Sequence, residues 1–306
     1  MKITKLPTLK YGTIWEDPIK GHRIGCLDAT NKKDVIKLMN GRKSVLAIQD
    51  PPYNLNLNKE FKELPIKEYI SWSEKWVDNT IEILEENASL YVWLGGDIKN
   101  GLQPLVDFVL MMRNKPVKLK NFITLRKQRG YGTQKNWMSV RQELLYYVKN
   151  NPFFNVKAEY TNIPKILRGY YKTVGGKLTE TMERSKSPYI RAGNVWVDIQ
   201  QVFYLLEEHV EGCYTQKPLK AIARIIDASS NKNDPIVDFF AHSGSTLLQA
   251  EISNRKCYTM DISPIYCKIT LARLLHYRNT GKTGWGRIKI IKNEEIAVND
   301  EVLLRG

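Results

Sequence analysis

The chain reads as an α/β protein built on a mostly parallel sheet, and three features point there. The apolar run Val45-Leu46-Ala47-Ile48 gives way after Gln49 to Asp50-Pro51-Pro52-Tyr53. Residues 236–277 alternate strand, helix, strand and helix, as in a nucleotide-type half-fold. Residues 122–125 and 143–148 read as an antiparallel pair. A short apolar run bounded by proline marks a strand buried on both faces.

The elements follow in order. Residues 24–29 form a short strand with Asp28 at its end, and 34–40 a short helix before the Asp50 strand. Residues 55–65 are polar, lack a period and read as a loop. An amphipathic helix over 70–86, rich in Trp, Ile and Leu, leads to a buried strand over 88–94 and then Gly95-Gly96. Between the antiparallel pair lie Arg126, Lys127, Arg129, Lys135 and Arg141, with Tyr131 and Trp137 and no acid. After Asn150-Asn151-Pro152 the α/β regularity lapses. From 157 to 191 eight bases, including Lys165, Arg168, Lys172 and Arg191, face three acids, with tyrosines interleaved. Residues 151–211 are taken as an inserted, less regular region. Order returns at Lys217, with a helix over 218–229 that starts at Pro218, a favoured place for proline. A strand over 236–240, a helix over 243–253, a strand over 256–260 and a helix over 264–277 complete the series. Trp72, Trp76, Trp93, Trp137 and Trp196 read as packing residues rather than base wedges.

Composition narrows the partners. A net charge of +15 and a pI near 9.5 suit a polyanionic partner. Plain solubility or an A/T-rich genome would also raise the lysine count. Cys26, Cys213, Cys257 and Cys267 are scattered without a CxxC spacing, and His has four copies. Neither a disulfide framework nor a metal site is expected, and a reduced cytosolic setting fits. The start, Met1-Lys2-Ile3-Thr4-Lys5, lacks the apolar stretch of a signal peptide, and no run reaches transmembrane length.

Two constellations carry chemistry. Open α/β sheets bind ligands at the carboxyl ends of their strands, where Asp50 sits. Pro51 and Pro52 fix their own φ and restrict their neighbours, so this loop is pre-shaped. The second is Asp238-Phe239-Phe240-Ala241-His242-Ser243-Gly244-Ser245-Thr246, joining a strand to a helix. Helix N-terminal amides bind anionic groups, and glycine allows close approach. Asp261 ends the next strand, where an acid binds a ribose diol. A well-capped structural turn would use the same residues.

Asp50-Pro51-Pro52-Tyr53 resembles motif IV of the S-adenosylmethionine-dependent DNA amino-methyltransferases. The stretch from Asp238 to Thr246 resembles their motif I, and Thr215-Gln216-Lys217-Pro218 resembles their motif X. Asp261, followed by Pro264 and Tyr266, is similar to motif II, and Asp28 to the acid of motif III. The resemblance covers roughly residues 20–150 and 212–280. Motif IV, a basic region, then X and I is an order that resembles the β class.

That resemblance implies a Rossmann-like methyltransferase fold in one domain over 1–306: a mostly parallel sheet with one antiparallel strand near its end, in circularly permuted motif order. Residues 151–211 become the target-recognition region and 212–280 the cofactor-binding half. S-adenosylmethionine is the implied cofactor, held by Asp28, Thr215, Lys217, Asp238, Phe240, Ala241, His242, Ser243, Gly244, Ser245, Thr246 and Asp261. Asp50, Pro51, Pro52 and Tyr53 are the implied catalytic residues. Double-stranded DNA is the implied partner, contacted by Arg126, Lys127, Arg129, Lys135, Lys165, Arg168, Lys172 and Arg191. A homodimer, as in several β-class members, and a cognate restriction endonuclease are further implied partners, in a bacterial or archaeal cytoplasm. One departure stands out: His242 occupies the place of the first motif I glycine. Either the turn keeps φ negative there, or His242 serves the cofactor site.

An exocyclic amino nitrogen is a poor nucleophile because its lone pair delocalises into the ring. The Asp50 carboxylate and Pro51 carbonyl could accept its two N–H bonds and free that pair. Tyr53 offers a face for an extruded base, since the target is unreachable inside a duplex. Adenine N6 is favoured over cytosine N4, and a DNA-binding protein on an inactive methylase core is the remaining alternative.

Overall fold

The computed structural model describes residues 7, 9–54, 63–96, 101–131, 137–156, 160–165, 170–181, 187–213 and 215–285. Strands β1 (Ile14–Glu16) and β2 (Arg23–Cys26) lead to helix α1 (Lys32–Met39) and strand β3 (Ser44–Gln49). The Asn31 side chain accepts from the Lys33 N–H and starts α1, and Asn40 ends it at φ 49°. Helix α2 (Ile66–Ile83) runs straight into β4 (Leu84–Trp93), followed by α3 (Leu105–Met112) and the long strands β5 (Lys118–Tyr131) and β6 (Ser139–Lys149). Then come β7 (Tyr160–Pro164), β8 (Tyr170–Val174), β9 (Lys177–Thr181), β10 (Tyr189–Arg191) and β11 (Val195–Trp196). Helix α4 (Leu219–Ser229), β12 (Pro235–Asp238), α5 (Ser245–Ile252), β13 (Lys256–Asp261) and α6 (Pro264–Thr280) complete the described elements.

Helix α2 departs from the expected span at both ends. It starts after Pro65, and its predicted last residues belong to β4. Leu84 already pairs with Ser44, and the ladder then skips to Leu46 opposite Ser89. Glu85, Glu86 and Asn87 are the exposed residues of that irregularity. Polar residues at a strand's bulged start had the look of a helix end.

The main sheet has the order β1-β2-β13-β12-β3-β4-β6-β5-β11. From β2 to β4 all neighbours are parallel. Strand β6 runs antiparallel to both of its neighbours, as expected near this end. At the far edge β1 adds a second antiparallel strand. Side chains alternate with period two. Leu46 and Ile48 pack in a core with Ile222, Leu247 and Leu271, whereas Ala47 packs in a core with Leu38, Trp76 and Phe108. The sheet therefore lies between α4–α6 and α1–α3. Fully burying one such Leu or Ile stabilises the fold by about 1.5–3 kcal/mol.

Residues 160–191 stand apart from this sheet. Strands β7 and β10 pair with each other, and β8 pairs with β9 through Gly175-Gly176. Both glycines have positive φ, 58° and 75°, as a two-residue hairpin turn requires. Strand β11 returns to the main sheet against β5. There Trp196 lies beneath the Arg224 guanidinium, 5.0 Å from its ring centre. Arg224 in turn holds buried Asp198 through two bonds of 3.1 and 2.8 Å.

A second ion cluster packs α6 against the turn after β1. Arg278 grips both oxygens of Asp17, at 2.8 and 2.7 Å, and both of Glu251, at 3.0 Å each. His22 adds a 2.8 Å contact to Glu251. Burial alone would raise the Glu251 carboxyl, but the His22 and Arg278 hydrogen bonds outweigh it and hold it well below the usual range.

Candidate active site

Asp28, Asp261, Asp238 and Asp50 follow or end four adjacent parallel strands, β2, β13, β12 and β3. From β12 the chain crosses to β13, and from β3 it crosses the other way to β4. The crevice between β12 and β3 is thus a topological switch point, the favoured ligand site of such sheets.

On one wall, Lys217 places its ammonium 2.7 Å from Oδ1 and 2.6 Å from Oδ2 of Asp50. The Lys217 side chain is 5% exposed. Its ammonium lies 5.3 Å from the centre of the Tyr53 ring and 5.5 Å from that of Trp93. The Tyr53 hydroxyl donates to Asp50 Oδ1 at 2.9 Å. Burial and the Asp50 charge push this phenol well above its usual value, so it stays a donor. Tyr69 donates to the Pro52 carbonyl at 2.7 Å and fixes the loop's exit. Among the described residues no hydrogen-bond donor sits on the Pro51 carbonyl. Asn54 exchanges two bonds with Leu64, of 2.8 and 2.7 Å, and brings the chain back to α2.

The other wall is the turn from β12 to α5. Burial raises the Asp238 carboxyl to about 7, with Asp50 and Asp261 adding to the effect. The Phe240 N–H donates to Asp238 Oδ1 at 2.8 Å. The Phe239 N–H reaches across the crevice to buried Gln49 Oε1 at 2.9 Å. His242 adopts φ +43°, so the turn keeps the left-handed shape a glycine would give it. Its N–H donates to Asp261 Oδ2 at 3.0 Å, and its ring lies 4.7 Å from that of Tyr266. Burial lowers the imidazole to about 4, leaving it uncharged near neutral pH. Gly244, at φ +72°, allows α6 to pack close: a Cβ there would sit 3.0 Å from the Thr270 Cα.

Fully buried Arg273 braces this turn from α6. It donates to the Ser243 carbonyl at 3.0 Å, the Ser245 hydroxyl at 3.1 Å and the Thr283 carbonyl at 2.7 Å. The Ser245 hydroxyl in turn donates to the Lys217 carbonyl at 3.0 Å. Buried Glu208 accepts from the Leu219 N–H at 2.6 Å and caps α4 from outside the helix. The two walls are thereby joined through Arg273, Ser245 and Lys217 to Asp50.

Of the residues singled out from sequence, Asp50, Lys217, Asp238, Phe240, Ala241, His242, Ser243, Ser245 and Thr246 line one cleft, together with Ile48, Trp93 and Ile222. Lys217 sits on the Asp50 side of it. Asp261 supports the His242 turn from behind, with its second oxygen taking the Ser263 N–H at 2.9 Å. Asp28 is held by the Thr30 N–H and hydroxyl, both at 2.8 Å, and stands apart from the cleft lining. Thr215 is exposed. Of the basic set, Arg126 and Arg191 are exposed on β5 and β10, and Lys165 follows β7. Lys127 lies closer in, its amine lowered by burial and by Lys217. Lys135 and Arg168 fall outside the described residues, as do the side chains of Arg129 and Lys172. Gln49, Trp93, Glu208 and Arg273 were not singled out beforehand as site residues. Among the described residues no group of three or more His, Cys, Asp or Glu is placed to hold a metal, and no helix is long and apolar enough to cross a membrane.

The family described as DNA methylase matches residues 45–272, which contain both walls of this cleft. The chain belongs to the DNA methylase family. It is 29% identical over 260 residues to the type II methyltransferase M1.MboII of Moraxella bovis, covering 81% of this chain and 93% of that protein. It is 31% identical over 238 residues to the DNA adenine methyltransferase YhdJ of Escherichia coli strain K12, covering 75% of each. The solved PvuII DNA methyltransferase, cytosine-N4-specific, superposes with a TM-score of 0.58 at 15% identity, over 99% of this chain and 96% of that one. This DNA methylase therefore has the α/β methyltransferase fold.

Proposed function

We propose that this DNA methylase transfers a methyl group from S-adenosylmethionine to the exocyclic N6 of adenine, at a specific site in duplex DNA, with the base flipped out. The observation that carries the reading is the cleft between β3 and β12, with Asp50 on one wall and the Asp238–Thr246 turn on the other. The order of these two motifs along the chain supports a β-class enzyme.

The cleft suits this cofactor. Asp238 is a buried carboxyl raised by that burial and by the nearby Asp50 and Asp261 charges, and the cofactor carries an ammonium and a sulfonium. The amides opening α5 suit its carboxylate, and Asp261, at the end of the next strand, suits a ribose diol. Bound there, S-adenosylmethionine supplies an electrophilic methyl group.

The chain's own residues do the rest. An ionised carboxylate has about four acceptor sites, so Asp50 keeps capacity for the target amino group beside Lys217 and Tyr53. Asp50 accepts one N–H and the Pro51 carbonyl the other, which favours a pyramidal nitrogen with its lone pair free. Lys217 holds the carboxylate aimed. Tyr53 stacks the base, and its hydroxyl keeps Asp50 from rotating. Methyl transfer would form the N–C bond as the methyl–sulfur bond breaks, its electron pair returning to sulfur as a neutral thioether; the nitrogen would then carry the positive charge, and Asp50 would receive its proton. The type II name of the Moraxella bovis relative extends the proposal to a restriction–modification setting with a cognate endonuclease.

The test is to incubate the protein with methyl-labelled S-adenosylmethionine and plasmid DNA, then separate the nucleosides. N6-methyladenine is expected, at mapped sites. N4-methylcytosine would overturn the choice of base, and unlabelled DNA would overturn the activity. Asp50→Ala should give no labelled nucleoside while keeping cofactor affinity within a few-fold.

A further inference from the structure

The turn from β12 to α5 keeps a residue that its backbone disfavours. At φ +43° a glycine is free, whereas a residue with a Cβ is strained, and His242 stands there. Of the two expectations for this position, a negative φ or a role at the site, the backbone excludes the first. The surroundings hold the backbone of His242 and leave its ring. Its N–H donates to Asp261 Oδ2 at 3.0 Å, and its carbonyl accepts from the Thr270 hydroxyl at 3.3 Å. Among the described residues neither ring nitrogen has a hydrogen-bond partner. The ring packs 4.7 Å from that of Tyr266 and lines the cleft with Asp50, Lys217 and Asp238. The charges that reach it are those of Asp50, Lys217 and Arg273, so it faces the methyl-transfer side of the turn, while Asp261 marks the ribose side. Kept uncharged by burial, the imidazole has one lone pair and one N–H. An uncharged acceptor faces a cation without repelling it.

Strain retained at a cleft, on a polar side chain with no protein partner, points to a ligand. We propose that the His242 imidazole accepts a hydrogen bond from the α-ammonium of S-adenosylmethionine, sharing that group with Asp238. An ammonium has three N–H donors, more than one carboxylate contact fills. The inference rests on the cofactor reading above and deepens it. It assigns the amino-acid end of the cofactor to a side chain at a position where the family resemblance sets a glycine, which has none to offer.

The experiment is calorimetry on the full chain with three ligands. These are S-adenosylmethionine, S-adenosylhomocysteine, which lacks the methyl group and its sulfonium charge, and 5′-methylthioadenosine, which lacks the amino-acid end. His242→Gly should weaken the first two roughly 10- to 100-fold, the range for a hydrogen bond to a charged group, and leave the third unchanged. His242→Asn keeps a residue that tolerates left-handed backbone, and with its shorter side chain it should show the same pattern. Without ligand, the thermal midpoint of His242→Gly should not fall, because glycine relieves the strained φ. A loss confined to S-adenosylmethionine would assign the ring to the sulfonium. Equal losses on all three would assign it to the nucleoside or to the shape of the turn. Either result overturns the proposal, as does unchanged affinity for all three. A wild-type protein that binds none of the three would instead overturn the cofactor reading.

Discussion

The Lys217 ammonium is bound to both oxygens of Asp50, a residue 167 positions away along the chain. The contact joins the two walls of the cleft, and it makes the carboxylate's orientation a product of the whole fold. Lys217 is also the residue whose backbone carbonyl is fixed by Ser245, and Ser245 by Arg273.

Replacing Lys217 with Met should therefore lower single-turnover methyl transfer by about 10- to 100-fold, the range for a lost charge-assisted hydrogen bond. Cofactor affinity should change less than the rate. A calorimetric titration beside a rapid-quench assay separates the two, and a purely cofactor-binding lysine would show the reverse pattern.

Asp261→Ala should weaken S-adenosylmethionine binding by about 1.5–3 kcal/mol, the range for losing a charged hydrogen-bond partner. It removes the acceptor that holds the His242 N–H as well as an acid placed for ribose. Unchanged affinity by calorimetry would place the ribose elsewhere and show the turn to be rigid without it.

Asp238 gives a pH dependence of defined sign. Its carboxyl titrates near 7 in the folded protein, against about 3.9 in an unfolded chain. The folded state thus binds the proton more tightly. This stability is fully present below about pH 4 and lost as pH rises through about 7, to at most about 4 kcal/mol. In Asp238→Asn, denaturation midpoints should lose this downward slope between about pH 4 and 7. A cationic cofactor favours the ionised form, so binding near pH 6.5 should release a proton from the wild type. Titrations in buffers of different ionisation enthalpy measure that release.

Arg278→Met should destabilise the fold by about 3–5 kcal/mol, because it removes the guanidinium held between buried Asp17 and Glu251, leaving Asp17 only backbone donors and Glu251 only His22 and Lys20. Turnover per folded molecule should stay at the wild-type level, since the cluster lies outside the cleft lining. Denaturant midpoints and active-site titration test the two halves of this statement.

Replacing Lys165, Arg168 and Lys172 with Ala should weaken DNA binding on all sequences. Each lost phosphate contact should flatten the log-affinity against log-salt slope by about 0.9. An unchanged slope would move the phosphate-binding surface to residues 126–141.

What the sequence disclosed and what it concealed divide along the range of the contacts. Strands β3 and β12 and the loops after them were legible because a buried strand and its terminal turn write their pattern into consecutive residues. Gln49 was passed over because nothing local shows that its amide serves the Phe239 N–H on another strand. Arg273 was not singled out either, since its partners Ser243 and Ser245 lie 30 and 28 residues away. The hairpins of residues 160–191 were hidden for a different reason. They form sheets of two strands apart from the main core, so they lack its strong apolar alternation.

The order of strands in the sheet also shapes how the protein is made. Strands β2 and β3 are close in sequence, yet β13 and β12 lie between them in the sheet. Gln49 and its partner Phe239 are separated by 190 residues of chain. As the chain emerges from the ribosome, β2 and β3 each present a bare apolar edge to the cell until the last third has been synthesised. The closing of that gap is a late, long-range folding event, slow by its topology, and it assembles both walls of the cleft in one step.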